Sequence, residues 1–420
     1  MSLDEQGFID LSNLQKKNYS KLLLTRNPFP STAVPSDLPL TTADRQAAIR
    51  RFLDVLTVLR TDNSSSVTVL LGDYGSGKSH LLKLFKLSVN RKLSTGDNPA
   101  LAIYAKSPGR SMRDLFLYIV DDLGRELLTD LAVRWIFQNL SKAETQKYLA
   151  QKQSYVLNSY SDVPKYLSIA RSLELVNDML PRLAAAKNPD LVRAFLILPH
   201  PELGSIAWRW FVGSSLSRDE HKTLGIDSTI DDQSIAERAL NAFLKLLHVI
   251  GLSGLVVLID ELEAITLITR MSRGLYQDAL RHLIDGNPGG LAIMFAITPA
   301  EWEELTEVPS ALERRLAGSV IDLAPFSKKE VLELVQRYLL TSRISGSAKK
   351  SETTDTRSTI EASIFPFTIA ALDEIFSTTK GTVSKVVTLC RLCIENLASD
   401  TRATIDADYV KHVITREGFR

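Results

Sequence analysis

Eight residues, Gly72-Asp73-Tyr74-Gly75-Ser76-Gly77-Lys78-Ser79, constrain this chain more than any others. They fit the pattern G-x-x-x-x-G-K-[ST], follow the apolar run Val67–Leu71 and precede a helical pattern. Glycines at these places let successive backbone N–H groups turn inward around an anion. The helix beginning near Lys78 points its positive dipole end at the same spot. Such a loop takes phosphates: Lys78 reaches the outer ones, Ser79 offers a magnesium ligand, and His80 follows on the nucleotide side.

Three further runs, Leu101–Tyr104, Leu255–Ile259 and Leu291–Ile297, are rich in Val, Ile, Leu and Ala without polar alternation, as strands buried on both faces should be. Helical patterns separate them, which predicts an α/β fold, a P-loop NTPase whose parallel sheet is covered by helices on both sides. The third run ends in Asp260-Glu261. Asp260 would hold magnesium through water, and Glu261 is placed to polarise an attacking water. Phosphoryl transfer needs mainly positioned charge and an oriented nucleophile, so these groups suffice for hydrolysis of ATP with Mg2+ as cofactor. The acidic pair favours water over a hydroxyl acceptor, which speaks against a small-molecule kinase. Glu263 reads as a surface or supporting residue.

The fourth run leads into Thr298-Pro299. If that strand lies between the first and third, the Thr298 hydroxyl can sense the γ-phosphate or position water; otherwise it simply ends the strand. Arg314 and Arg315, in Ala311-Leu312-Glu313-Arg314-Arg315-Leu316, can reach the ATP of a neighbouring subunit or occupy a solvated helix end.

Residues 1–40 read as an arm wrapped on the core, 41–326 as the ATPase core and 327–420 as a C-terminal helical lid. Thr41-x-x-Asp44 opens a helix in capping-box fashion, with Ile49, Phe52, Leu53 and Leu56 as its buried stripe. Between the second and third runs lies far more chain than one crossover needs, and about 125–234 is expected to be an inserted helical subdomain, irregular over 198–234. Ser327-x-x-Glu330 forms a second capping box. Residues 342–362, rich in Ser, Thr and Lys, read as a loop.

The 420 residues carry 50 Lys plus Arg against 49 Asp plus Glu, so bulk charge does not argue for gripping DNA phosphates. Cys390-x-x-Cys393 falls on a three-to-four-residue apolar period with Val386, Leu389 and Leu397, which predicts a buried helix face rather than a zinc site. The acidic N-terminus lacks an apolar signal core, and no apolar run approaches the roughly 18 residues of a membrane span, so the chain is expected to be cytoplasmic, with no membrane partner.

The order of P-loop, Asp-Glu pair, polar residue after the next strand, paired arginines and helical lid resembles AAA+ ATPases, in particular the origin-recognition and Cdc6-type branch. A narrower similarity is to ATP-binding proteins of bacterial phage-defence islands, including the bacteriophage-exclusion type. It rests on Trp208-Arg209-Trp210-Phe211-Val212-Gly213, Leu224-Gly225-Ile226, Gly254–Glu261, and a pattern from Arg273 through Tyr276, Leu280 and Arg281 to Asp285. The resemblance implies Lys78 and Ser79 on phosphates and metal, Asp260 and Glu261 on metal and water, and Thr298 as first sensor. It makes Arg315 the finger, with Arg314 the alternative. It places Arg45, in Thr41–Gln46, on the adenine side, and Gly381–Lys385 in the second-sensor region. There Ser384 falls where relatives often carry Arg, and Lys385 can substitute. Origin-recognition proteins usually continue into a winged-helix DNA-binding domain, and none is expected within these 420 residues. Two functions follow: an oligomeric ATPase working on or beside DNA with defence-system partner proteins, or a nucleotide-gated switch acting on a partner without touching DNA. Arg270, Arg273, Arg281 and Lys245 are either a local basic patch for the first or scattered surface charge.

Overall fold

The structure is a computed structural model that describes residues 17–31, 45–62, 64–91, 93, 99–139, 174, 177–178, 181, 188–286, 289–306, 319–344 and 356–419. The chain divides into two compact units, one comprising 47–72 and 85–322, the other 1–46, 73–84 and 323–420.

The first unit is built on a five-stranded parallel sheet, β1 (Ser66–Leu71), β2 (Ala100–Ala105), β3 (Gly254–Ile259), β4 (Leu291–Ile297) and β5 (Val320–Asp322), in the order β2-β3-β4-β1-β5. All six residues of β3 and all seven of β4 are buried, which is why these central strands read as unbroken apolar runs. The edge strand β5 has three residues, none fully buried, and shows no apolar run in the sequence. With β4 between β1 and β3, the residues following these three strands lie on one edge of the sheet.

Helix α1 (Gln46–Thr61) buries Ala48, Phe52, Val55 and Leu59. The stripe expected through Leu53 is therefore rotated: Leu53 is 54% exposed, while Phe52 stacks face to face on Phe85 of α2 (Lys78–Asn90). Once a large aromatic finds a partner it fixes the rotation of the helix, a choice that periodicity alone leaves open by one residue. The Thr41–Asp44 cap lies outside the described residues.

Helix α3 (Met112–Asn139) is interrupted at Gly124, whose φ of 70° and ψ of 160° only a residue without Cβ adopts readily. It packs with α4 (Pro189–Ile197), α5 (Gly204–Phe211), α6 (Arg218–Leu224) and α7 (Gln233–Val249) into the core that covers the sheet. The stretch 198–234 is therefore less irregular than its sequence pattern: it holds α5 and α6, helices of eight and seven residues, too short for a stripe to repeat. Trp210 is fully buried and donates its indole N–H to the Ser228 carbonyl at 2.7 Å, so packing accounts for it. After β3 come a 3-10 turn (Leu262–Ile265) and α8 (Arg270–Gly286), and after β4 comes α9 (Pro299–Thr306).

The second unit gathers the C-terminal helices α10 (Lys328–Leu340), α11 (Thr356–Ile364), α12 (Ile369–Thr379), α13 (Val383–Ala398) and α14 (Ala407–Glu417). The Ser327/Glu330 capping box forms in both directions. Part of the Ser/Thr-rich stretch expected as a loop is α11; residues 345–355 lie outside the described residues. The described part of the N-terminal arm belongs here: Leu22, Leu24 and Phe29 are buried among the C-terminal helices, and Thr25 N–H donates to Ser342 O at 2.8 Å. Cys390 and Cys393 are free, fully buried in this core, and burial pushes the Cys393 thiol up to about 12 and the Cys390 thiol well above its ordinary value. Neither is available as a thiolate.

Candidate functional site

Chain direction sets up the first half of the site. β1 ends at Leu71, and Gly72, the first residue of the glycine-rich loop, donates its N–H to Ile297 O at 3.2 Å, at the end of β4. The loop tightens through Ser76 N–H to Asp73 O at 3.1 Å, and α2 begins at Lys78. Gly75 and Gly77 have φ of 79° and 96°, the left-handed backbone that turns consecutive N–H groups to one side. The Lys78 ammonium donates to Asp73 O at 3.2 Å, and Tyr74, 72% exposed, lies with its ring centroid 5.8 Å from it. The Ser76 hydroxyl is buried with no hydrogen-bond partner. A buried orphan hydroxyl in an anion-binding loop suits a ligand that brings oxygen acceptors.

Arg45 supports the loop rather than standing apart from it. Its guanidinium donates to Ser76 O at 2.9 Å and to Ala324 O at 2.8 Å, and lies 4.4 Å from the centroid of the Phe326 ring. Ser384, in the first turn of α13, donates its N–H to Gly75 O at 3.0 Å. Lys385, which follows it and is expected in the second-sensor region, is exposed.

The acidic half follows β3. Asp260 is 4% exposed. Its backbone N–H continues the sheet by donating to Ala105 O at 2.9 Å, and its carboxylate accepts from the Tyr104 hydroxyl at 2.8 Å and from Glu261 N–H at 3.1 Å. Glu261 has φ 49°, ψ 49°, so the chain turns sharply there and its exposed carboxylate is carried off the strand line. A non-glycine residue held in this region costs on the order of 1–3 kcal/mol, the kind of strain that persists where geometry is needed. Thr298, at the end of β4, is 3% exposed, and its hydroxyl is buried without a partner. The condition on strand order is met, since β4 separates β1 from β3.

Among the described residues no cluster of three or more His, Cys, Asp or Glu is arranged to hold a metal alone. Magnesium needs no such cage, being held by one or two protein oxygens plus water and phosphate. Ser79 at the start of α2 and the buried, doubly anchored Asp260 are oxygen donors of that kind. Arg314 and Arg315 lie outside the described residues. Of the supposed basic patch, Arg273 is spent on Thr266 O and on Glu304 at 3.7 Å, and Arg281 pairs with Asp278 at 3.9 Å. Among the described residues no helix is long and apolar enough to cross a membrane. Tyr104 was passed over by sequence reasoning as the last residue of an apolar run. A phenol at the end of a strand otherwise made of Ala, Leu and Ile is the signal that could have found it.

A parallel sheet in this order, with a glycine-rich loop after β1 and acids after β3, is the α/β P-loop fold that AAA+ proteins share. Residues 200–407, just under half of the chain, match the family described as BREX system ATP-binding protein BrxC/D. Of solved structures, the Aeropyrum pernix ORC2 protein in its ADPNP-ADP complexes is 12% identical with a TM-score of 0.50, covering 93% of this chain and 71% of that one. Drosophila ORC bound to DNA follows at 13%, TM-score 0.45, covering 99% and 70%. The Aeropyrum pernix ORC1 protein in complex with DNA stands at 11%, TM-score 0.47, covering 92% and 68%. No curated protein is significantly similar in sequence.

Proposed function

We propose that this protein hydrolyses ATP with Mg2+ and works in a DNA-associated process of BREX type, such as phage defence, together with partner proteins and further copies of itself in the cytoplasm. Gly72 to Gly77 hold the phosphates through backbone N–H groups, with Lys78 on the outer ones and His80 and Arg45 on the nucleotide side. Ser79 and Asp260 would hold magnesium, whose charge would offset that of the phosphates. Glu261 orients the attacking water, Thr298 offers its hydroxyl toward the γ-phosphate, and Arg315 of a neighbouring subunit would stabilise developing charge. The observation that carries this reading is the anchored Asp260 carboxylate, followed by Glu261, after β3 on the same sheet edge as Gly72 and Thr298.

The test is steady-state ATP hydrolysis with and without double-stranded DNA, with Glu261→Gln as the blank. Turnover stimulated by DNA supports the DNA-associated ATPase. Turnover indifferent to DNA moves the function to a partner-directed switch. Turnover no higher than the blank in either condition removes autonomous hydrolysis.

A further inference from the structure

The metal-binding carboxylate is not held by its own strand alone. Tyr104 is the fifth residue of β2, in register with Leu258 of β3, and its side chain extends past the strand end to put the hydroxyl 2.8 Å from Asp260 Oδ2. The other carboxylate oxygen, Oδ1, takes Glu261 N–H at 3.1 Å. One donor on each oxygen fixes the plane of the carboxylate and leaves further lone pairs on both. Tyr104 is itself tied down: its backbone N–H donates to Asp122 Oδ2 at 3.0 Å, and Asp122 Oδ1 takes the Lys86 ammonium at 2.7 Å. Lys86, Asp122, Tyr104 and Asp260 thus form one chain of contacts from α2 through α3 and β2 to the end of β3.

We infer that Tyr104 is a positioning residue for magnesium: its hydroxyl sets the orientation in which Asp260 receives the hydrated ion. The inference rests on Asp260 being the metal ligand. A buried carboxylate with one donor removed turns toward whatever other donor it can find, and groups that orient a ligand typically change metal affinity about 10- to 100-fold when lost. Tyr104→Phe keeps the ring, its packing and the strand, and removes only the hydroxyl.

The experiment titrates Mg2+ against binding of a fluorescent ATP analogue to the full chain, for wild type, Tyr104→Phe and Asp260→Asn, with melting curves for each. The expected result is a Mg2+ half-saturation raised about tenfold in Tyr104→Phe, with Mg2+-free nucleotide affinity unchanged. A merely structural role would instead lower the melting temperature and weaken binding with and without the ion alike. Unchanged or tighter Mg2+ dependence in Tyr104→Phe, beside a weakened Asp260→Asn, overturns the role of Tyr104 alone. Mg2+ dependence untouched in Asp260→Asn overturns the assignment of Asp260 itself, and the inference with it.

Discussion

Ser384 at the start of α13 and Gly75 in the glycine-rich loop meet backbone to side chain as well as backbone to backbone. Ser384 N–H donates to Gly75 O at 3.0 Å, and a Cβ built on Gly75 would fall 2.0 Å from Ser384 Oγ. The loop and the C-terminal helices are therefore in direct contact, and at this position the contact is neutral.

Gly75→Ala is expected to destabilise the nucleotide-free protein by about 2 kcal/mol or more, adding a strained φ to a steric clash. Gly77 also has positive φ, but a Cβ there meets nothing within 4 Å, so Gly77→Ala carries the strain alone. Pairing Gly75→Ala with Ser384→Gly should recover part of the loss, and thermal melting of the four proteins checks it. Equal melting of the two single variants would contradict the clash.

Glu261 sits in the left-handed region with φ 49°. Glu261→Gly relieves that conformation at the cost of backbone entropy, a net gain of about 1 kcal/mol or less. Glu261→Gly should melt at or above wild type and Glu261→Val well below it, while neither hydrolyses ATP. A glycine variant clearly less stable than Glu261→Gln would show that the side chain itself, not the turn, stabilises this corner.

Arg45 bridges Ser76 O and Ala324 O and lies on Phe326. An ammonium cannot serve two carbonyls in fixed directions and face the ring together. Arg45→Lys is therefore expected to lose about 1–2 kcal/mol before any nucleotide is added. A residue serving nucleotide alone would leave melting of the nucleotide-free protein unchanged.

Asp130 in α3 is pushed up to about 6, first by burial and second by the Glu126 carboxylate one turn earlier. Its folded pKa lies above its unfolded value, so the folded state binds more protons between them. Stability therefore falls as pH rises through that interval and stays lower above about 6. Asp130→Asn should raise the melting temperature at pH 7.5 and make little difference below pH 4. The group is only half-buried, so solvent screening keeps the effect modest.

Local pattern was enough for the four longer strands and their ends. Val67–Leu71, Leu255–Ile259 and Leu291–Ile297 are apolar because both faces are covered. Each runs into a glycine or a polar residue, Gly72, Asp260 or Thr298, where a turn or the chemistry requires one. The second capping box and the helical character of 327–420 come from signals a few residues apart. The rotation of α1, the short helices of 198–234 and the three residues of β5 did not show, since each depends on a packing partner or is too brief for a period.

By itself, then, the sequence determined that a phosphate-binding loop and an acidic strand end belong to one covered parallel sheet, because glycine conformation, helix dipole and strand burial act over short stretches of chain. Tertiary structure alone decided the rest. It placed β4 between β1 and β3, docked residues 22–29 on the C-terminal helices, set Ser384 against Gly75 and brought the Tyr104 hydroxyl to Asp260 across 156 positions of sequence. Such pairings depend on which surfaces exclude water together, and no residue carries that information until its partner is in place.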